Sequence, residues 1–260
     1  MALPHFSSLS ASPSDLDSDA GQALLDNPIY NSLGTGHQSL ALVHGRARRF
    51  PGNIGPLAGI PGQSADTYSD LRVLAGPGGT VALFLQEAPA PPPGWTLARG
   101  GLLDQMVCVQ PPALHAPRGL SDRSGPNDSR AADMRPLTAA DVPAMVELAT
   151  LTEPGPFQQR TIELGRFFGI FHGDRLMAMA GQRLSLPGFV EVSAVCTHPE
   201  ARGHGYAPAL MSRVMEEIRA QDRTPFLHSF SDNAPAIAVY RSLGFVYRRS
   251  FQLAVLRNDE

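Results

Sequence analysis

The tightest constraint on the fold is one string, Val195-Cys196-Thr197-His198-Pro199-Glu200-Ala201-Arg202-Gly203-His204-Gly205-Tyr206-Ala207. A strand-like run, Phe189–Thr197, ends in it. A helical run leaves it, with Leu210, Met211, Val214 and Ile218 along one side of a helix expected from Tyr206 to about Gln221. Two glycines flank His204, so the chain can turn sharply and approach a ligand closely. The helix N-terminus beyond them offers N–H groups and partial positive charge, which suits an anion such as a pyrophosphate. Pro208 falls in the first helical turn, where its missing N–H costs nothing. Read as G-x-G-x-x-G from Gly203, the last glycine position is Pro208, so the dinucleotide-binding fingerprint fails.

The elements before the turn also speak against a parallel dinucleotide fold. Met134–Leu137 reads as a short strand. Thr138 or Asp141 can cap a helix running through Val142, Met145, Leu148 and Ala149. A second helix is expected at Phe157–Leu164. Phe167–Phe171 and Leu176–Ala180 form a hairpin across His172-Gly173-Asp174, and Leu186-Pro187-Gly188 turns into Phe189–Thr197. After the long helix come a strand (Pro225–Ser231), a helix (Asn233–Leu243) closed by Gly244, and a last strand (Phe245–Leu256). Antiparallel strands come first and a strand-helix-strand unit later, so the class is mixed α+β.

The rest of the 260-residue chain is less legible. Pro111–Asp133 is dense in breakers and reads as a linker, giving a first unit of 1–110 and a second of 134–260. Residues 1–20 are expected to be frayed. Helices are expected around Gly36–Arg49 and Ala65–Ala75, and strands at Thr80–Leu85 and Gln105–Val109. Arg46, Arg48 and Arg49 fit a solvated helix face better than a phosphate site.

Composition excludes several functions. All 21 basic residues are Arg, which rules out a P-loop lysine and a Schiff-base lysine. The net charge of -3 argues against a dedicated nucleic-acid binder. Two cysteines, Cys108 and Cys196, make neither a disulfide framework nor a zinc cluster and fit a reducing compartment. The N-terminus lacks a secretory pattern, and no run approaches a membrane span. A cytoplasmic protein without membrane or nucleic-acid partners is expected.

Arg202-Gly203-His204-Gly205-Tyr206-Ala207 resembles the (Gln/Arg)-x-x-Gly-x-(Gly/Ala) signature of the GNAT superfamily, the acyl-CoA-dependent N-acetyltransferases. Asn233-Ala234-Pro235-Ala236-Ile237-Ala238-Val239-Tyr240-Arg241-Ser242-Leu243-Gly244-Phe245 resembles that superfamily's Asn-x-x-Ala-x-x-x-Tyr-x-x-x-Gly-Phe element. The resemblance covers about residues 134–257. It implies a mostly antiparallel central sheet and acetyl-CoA as cofactor, bound where two parallel strands part. The smaller α/β first unit stays outside it. That unit is expected to cover the acceptor side or to form a homodimer surface, and a divergent GNAT-like half is one origin for it.

The resemblance also implies roles. Main-chain N–H groups from Arg202 to Ala207, with Gly203, His204, Gly205 and Tyr206 between them, would cradle the pyrophosphate, and Arg202 would add charge. Val195 and Thr197 would pair with the pantetheine arm, and Asn233 would cap its helix and bond pantetheine. Tyr240 would be the general acid for the departing thiolate. Strict alternation places Glu191, Ser193, Val195 and Thr197 on one face of their strand, and Glu191 is the candidate general base, directly or through water. His228 is expected to be packed rather than catalytic. The acceptor is a small-molecule or peptide amine, attacking directly without an acyl-enzyme. The alternative is a non-catalytic acyl-CoA sensor on the same fold.

Overall fold

The computed structural model describes residues 18–109 and 133–260. The expected linker lies almost wholly outside these residues, as do residues 1–17 of the stretch expected to fray.

The first half builds α1 (Asp19–Asp26), α2 (Pro28–Ser32), β1 (Leu42–His44), β2 (Ala47–Arg49), β3 (Ala58–Gly59), α3 (Ala65–Ala75), β4 (Thr80–Leu85) and β5 (Trp95–Val107). The second half builds β6 (Asp133–Pro136), α4 (Val142–Thr152), β7 (Phe167–His172), β8 (Arg175–Leu186), β9 (Phe189–Thr197), α5 (Tyr206–Arg219), β10 (Thr224–Phe230), α6 (Ala234–Ser242) and β11 (Val246–Asn258). Strands β1, β2 and β3 form a small sheet of their own, and the other eight form one sheet in the order β4-β11-β5-β10-β9-β8-β7-β6. Every neighbouring pair in the large sheet is antiparallel except β9 and β10.

The two halves drawn at residue 110 therefore share a sheet. β5, from the first half, lies between β10 and β11 of the second and pairs with both. Its outer stretch, Thr96–Gly100, is exposed and lies outside the strand expected at Gln105–Val109. It is a strand because β11 pairs with it over nearly its whole length.

Two other expectations change. The span expected as a helix at 36–49 holds a 3-10 turn and the β1–β2 hairpin instead. Its arginines are engaged: Arg46 pairs with Asp66, Arg48 lies over the Tyr30 ring, and Arg49 donates to the Leu74 carbonyl. Within 157–164 only Thr161–Leu164 is helical, as a 3-10 turn.

Apolar residues cover both faces of the large sheet. On one face Val190, Val192 and Leu227 pack beneath Leu210, Met211, Val214 and Ile218 of α5, with α6 beside them. On the other, Phe84, Leu103, Phe189, Phe226 and Phe251 pack beneath Leu25, Ile29 and Leu33 of α1–α2. Burying each such side chain stabilises the fold by about 1.5–3 kcal/mol. No helix among the described residues is long and apolar enough to cross a membrane.

Candidate active site

Strands β9 and β10 pair only at Thr224↔Phe189, Pro225↔Val190 and Phe226↔Glu191. Beyond that, residues 192–197 and 227–230 diverge. Each keeps a partner on its outer side, β8 for one and β5 for the other. His228 shows what opens: its side chain is 1% exposed, yet the residue as a whole is half-buried, so the exposed part is main chain. A cleft lined by strand backbone can pair with an extended amide-containing ligand.

A bulge shapes β9 beside this cleft. Met179 pairs with Cys196 and Gly181 with Ser193, so Ala180 alone faces Ala194 and Val195. Ala194 takes a positive φ of 52°. The extra residue shifts the alternation. Val195 packs with Val190 and Val192 beneath α5, whereas Ala194 and Cys196 face α4. The expected grouping of Glu191 with Val195 and Thr197 is thereby corrected: Glu191 belongs to the opposite face.

At the end of β9 the chain makes a 3-10 turn, Pro199–Ala201, and enters the glycine turn. Gly203 and Gly205 have φ of 81° and 76°, a region side chains disfavour, and a Cβ at either would meet no atom within 4 Å. The space against the backbone is open. The N–H groups of Gly203, Gly205 and Ala207 donate to no carbonyl among the described residues. Arg202 is exposed and pairs with no carboxylate among them. His204 donates Nδ1–H to the carbonyls of Ala201 (3.2 Å) and Arg202 (3.1 Å) and so braces the turn. The Tyr206 hydroxyl lies 2.6 Å from His172 Nε2. His198 is held between Arg175 Nη2 (2.8 Å) and the Glu200 N–H (3.2 Å).

Across the cleft, Asn233 caps α6 by accepting the Ala236 N–H at 3.3 Å. Tyr240, one face of α6 later, packs against the α5 core and neighbours Ser229 of β10. Burial pushes its phenol up, although the Ser229 hydrogen bond pulls the other way, so it stays protonated at neutral pH. The turn, the parting strands and Tyr240 thus lie on the α5–α6 face.

Glu191 lies in a different setting. Its side chain is fully buried. Arg183 donates Nε to Oε2 at 2.7 Å and Nη2 to Oε1 at 2.6 Å, and His228 donates Nδ1–H to Oε1 at 2.7 Å. A second bulge brings Arg183 there: Ser185 pairs with Val190 and Gln182 with Val192, so Arg183 and Leu184 together face Glu191. Burial alone would raise the carboxyl, but the Arg183 charge and hydrogen bonds and the His228 bond outweigh it and hold it at about 2. A carboxylate so engaged has almost no appetite for a proton at neutral pH. So held, Glu191 is poorly suited to the general-base role expected of it.

His228 is equally committed. Arg248 donates to Gln105 Oε1 (2.8 Å), which orients the amide so that Gln105 Nε2 donates to the Leu25 carbonyl (3.0 Å) and to His228 Nε2 (3.2 Å). Rings of Phe84, Phe226 and Phe251 surround the imidazole. Burial lowers its pKa more than Glu191 raises it, so it stays neutral. Arg248 in turn donates to Asp26 Oδ1 at 2.6 Å, linking α1 to the network. Sequence reading missed Arg183, Gln105, Ser229 and Arg248. Hairpin arithmetic from Gly188 would have put Leu184 opposite Glu191, one residue from Arg183. Cys108 and Cys196 are buried free thiols. Among the described residues no cluster of three or more His, Cys, Asp or Glu could hold a metal ion.

The arrangement as a whole, a mixed sheet whose two parallel strands part beside a glycine turn opening a helix, is the fold that the GNAT resemblance implies. Similarity to known proteins agrees. Residues 167–252 match the FR47-like protein family. A crystal structure of a GNAT-family protein from Novosphingobium aromaticivorans is 37% identical, with a TM-score of 0.77 over 91% of this chain and 99% of that one. Two others share the fold at lower identity. A GCN5-related N-acetyltransferase from Kribbella flavida is 15% identical, with a TM-score of 0.56 over 90% of this chain and 96% of its own. A GCN5-related N-acetyltransferase-like protein from Streptococcus suis is 14% identical, with a TM-score of 0.54 over 83% and 81%. No curated protein matches. The chain belongs to the GNAT family of acetyltransferases.

Proposed function

We propose that the protein transfers the acetyl group of acetyl-CoA to a primary amine by direct attack in a ternary complex. The observation that carries this reading is the parting of β9 and β10 beside a protonated Tyr240, with the open glycine turn at the same end of the sheet. The N–H groups of Gly203, Gly205 and Ala207 and the Arg202 guanidinium suit the pyrophosphate. The main chain at Val195 and Thr197 suits the pantetheine amides, and Asn233 adds a polar contact. Amine attack forms the C–N bond as the thioester C–S bond breaks. Tyr240 gives its phenolic proton to the departing thiolate, and the amine proton leaves through water at the cleft, since Glu191 and His228 are both committed.

The test is thioester consumption with a panel of primary amines. Amine-dependent release of thiol is expected. Unchanged turnover in Tyr240→Phe removes that residue from the role of acid. One observation favours a second reading, a non-catalytic acyl-CoA sensor: the strand carboxylate is locked away. Acetyl-CoA binding without turnover on any amine would select it.

A further inference from the structure

A groove lies at the end of β10, beside the strand that has left β9. It measures ≈640 Å³ and is lined by Arg99, Gly100, Gly101, Leu102, Phe230, Ser231 and Asp232. Small-molecule sites are roughly 300–1,000 Å³. Phe230 ties it to the cleft, because it ends the stretch of β10 that has left β9. Phe230 packs with the α1–α2 core, whereas Leu102 and Ser231, which bonds Asp104, lie on the other face, so the groove wraps the end of β10.

Glycine in β5 lets the Phe230 ring lie directly on the strand. A Cβ at Gly101 would stand 2.9 Å from the Phe230 ring. The Arg99 guanidinium lies over that ring, 5.4 Å from its centroid. Arg99 is exposed and makes no ion pair or hydrogen bond among the described residues, unlike the paired Arg135, Arg183 and Arg248. The Asp232 side chain likewise has no partner among them, one residue from the α6 cap. An unpaired guanidinium, an aromatic floor and an unpaired carboxylate in one groove complement a zwitterion with an apolar side chain. Asp232 disfavours a dianionic phosphate in the same place.

Resting on the transferase reading above, we infer that the acceptor is a free α-amino acid with an apolar side chain. Arg99 holds its carboxylate, Phe230 holds its side chain, and Asp232 faces its amino group.

Calorimetric titration of the full chain without acetyl-CoA tests this with three probes: L-phenylalanine, L-phenylalaninamide and phenethylamine. L-phenylalanine is expected to bind about tenfold or more tightly than either of the others, as a charge-assisted pair implies. Arg99→Ala should abolish that preference and Arg99→Lys keep part of it, with unfolding midpoints little changed because Arg99 is exposed and its side-chain contact among the described residues is the Phe230 ring. Equal affinity for acid and amide, no saturable binding of L-phenylalanine, or an intact preference in Arg99→Ala overturns the inference. The transferase reading fails separately, if no amine drives thiol release, and the binding preference remains readable in that event.

Discussion

The two faces of the parted strands differ in what they are built from. On the α5–α6 face the site is main chain: a turn with two glycines at positive φ, N–H groups without carbonyl partners among the described residues, and two strands unpaired along their facing edges. On the opposite face it is a closed network of side chains, Arg183–Glu191–His228–Gln105–Arg248–Asp26, with nearly every donor and acceptor met. The first face has spare hydrogen-bonding capacity to offer a ligand. The second uses its capacity internally and fixes the register of β8, β9, β10, β5 and β11 around the cleft. A carboxylate near an active site is therefore not a base by position alone; its partners decide.

The contrast is broken most directly at Arg183. Arg183→Ala leaves a buried carboxylate without its countercharge, and an expected loss of about 3–5 kcal/mol follows. Urea unfolding measures it. Arg183→Ala with Glu191→Gln should lose clearly less than the sum of the two single changes, since the double variant buries no lone charge. Equal, additive losses would mean that the pair is not coupled.

The acid side of the same pair gives a pH signature. Glu191 falls from an ordinary 4.5 to about 2, so the folded state holds the carboxylate more strongly than the unfolded chain does. Its contribution is complete above about 4.5 and is lost as pH falls through about 2. Stability measured across that window should fall more steeply for the wild type than for Glu191→Gln. No inflection assigned to Glu191 should appear in turnover near neutral pH.

On the open face, Tyr240→Phe removes the acid without a large packing change. Turnover should fall by about 10²–10⁴-fold, with little change in acetyl-CoA affinity. Smaller still, Gly203→Ala or Gly205→Ala places a side chain at positive φ in open space, a strain of about 1–2 kcal/mol. Weaker acetyl-CoA binding with an almost unchanged fold is expected from paired titration and melting experiments. A fold lost with it would mean that the turn is structural first.

The same contrast explains what the sequence shows and hides. Main-chain sites leave local marks: Gly203 and Gly205 at fixed spacing, Pro208 in the first turn, and Asn233 with Tyr240 seven residues on. These were readable, and so were the second-half strands, whose alternation is undisturbed over most of their length. The side-chain network leaves no local mark. Arg183 reaches Glu191 through one bulge, and a second bulge at Ala194 reverses the alternation between Glu191 and Val195. Gln105 and Arg248 come from strands 86 and 57 residues from Glu191 in sequence. Only the Gln105–Val107 end of β5 falls within an expected strand; the exposed stretch before it is held by β11, far away in sequence.

The most direct measurement is a rapid quench with acetyl-CoA labelled in the acetyl group, run with and without an amine substrate. Direct attack requires that label stay on CoA until amine is added, then pass to the amine as thiol is released, with no label on the protein at any time. Label appearing on the protein before amine is added, at a buried thiol such as Cys196 or elsewhere, would contradict it.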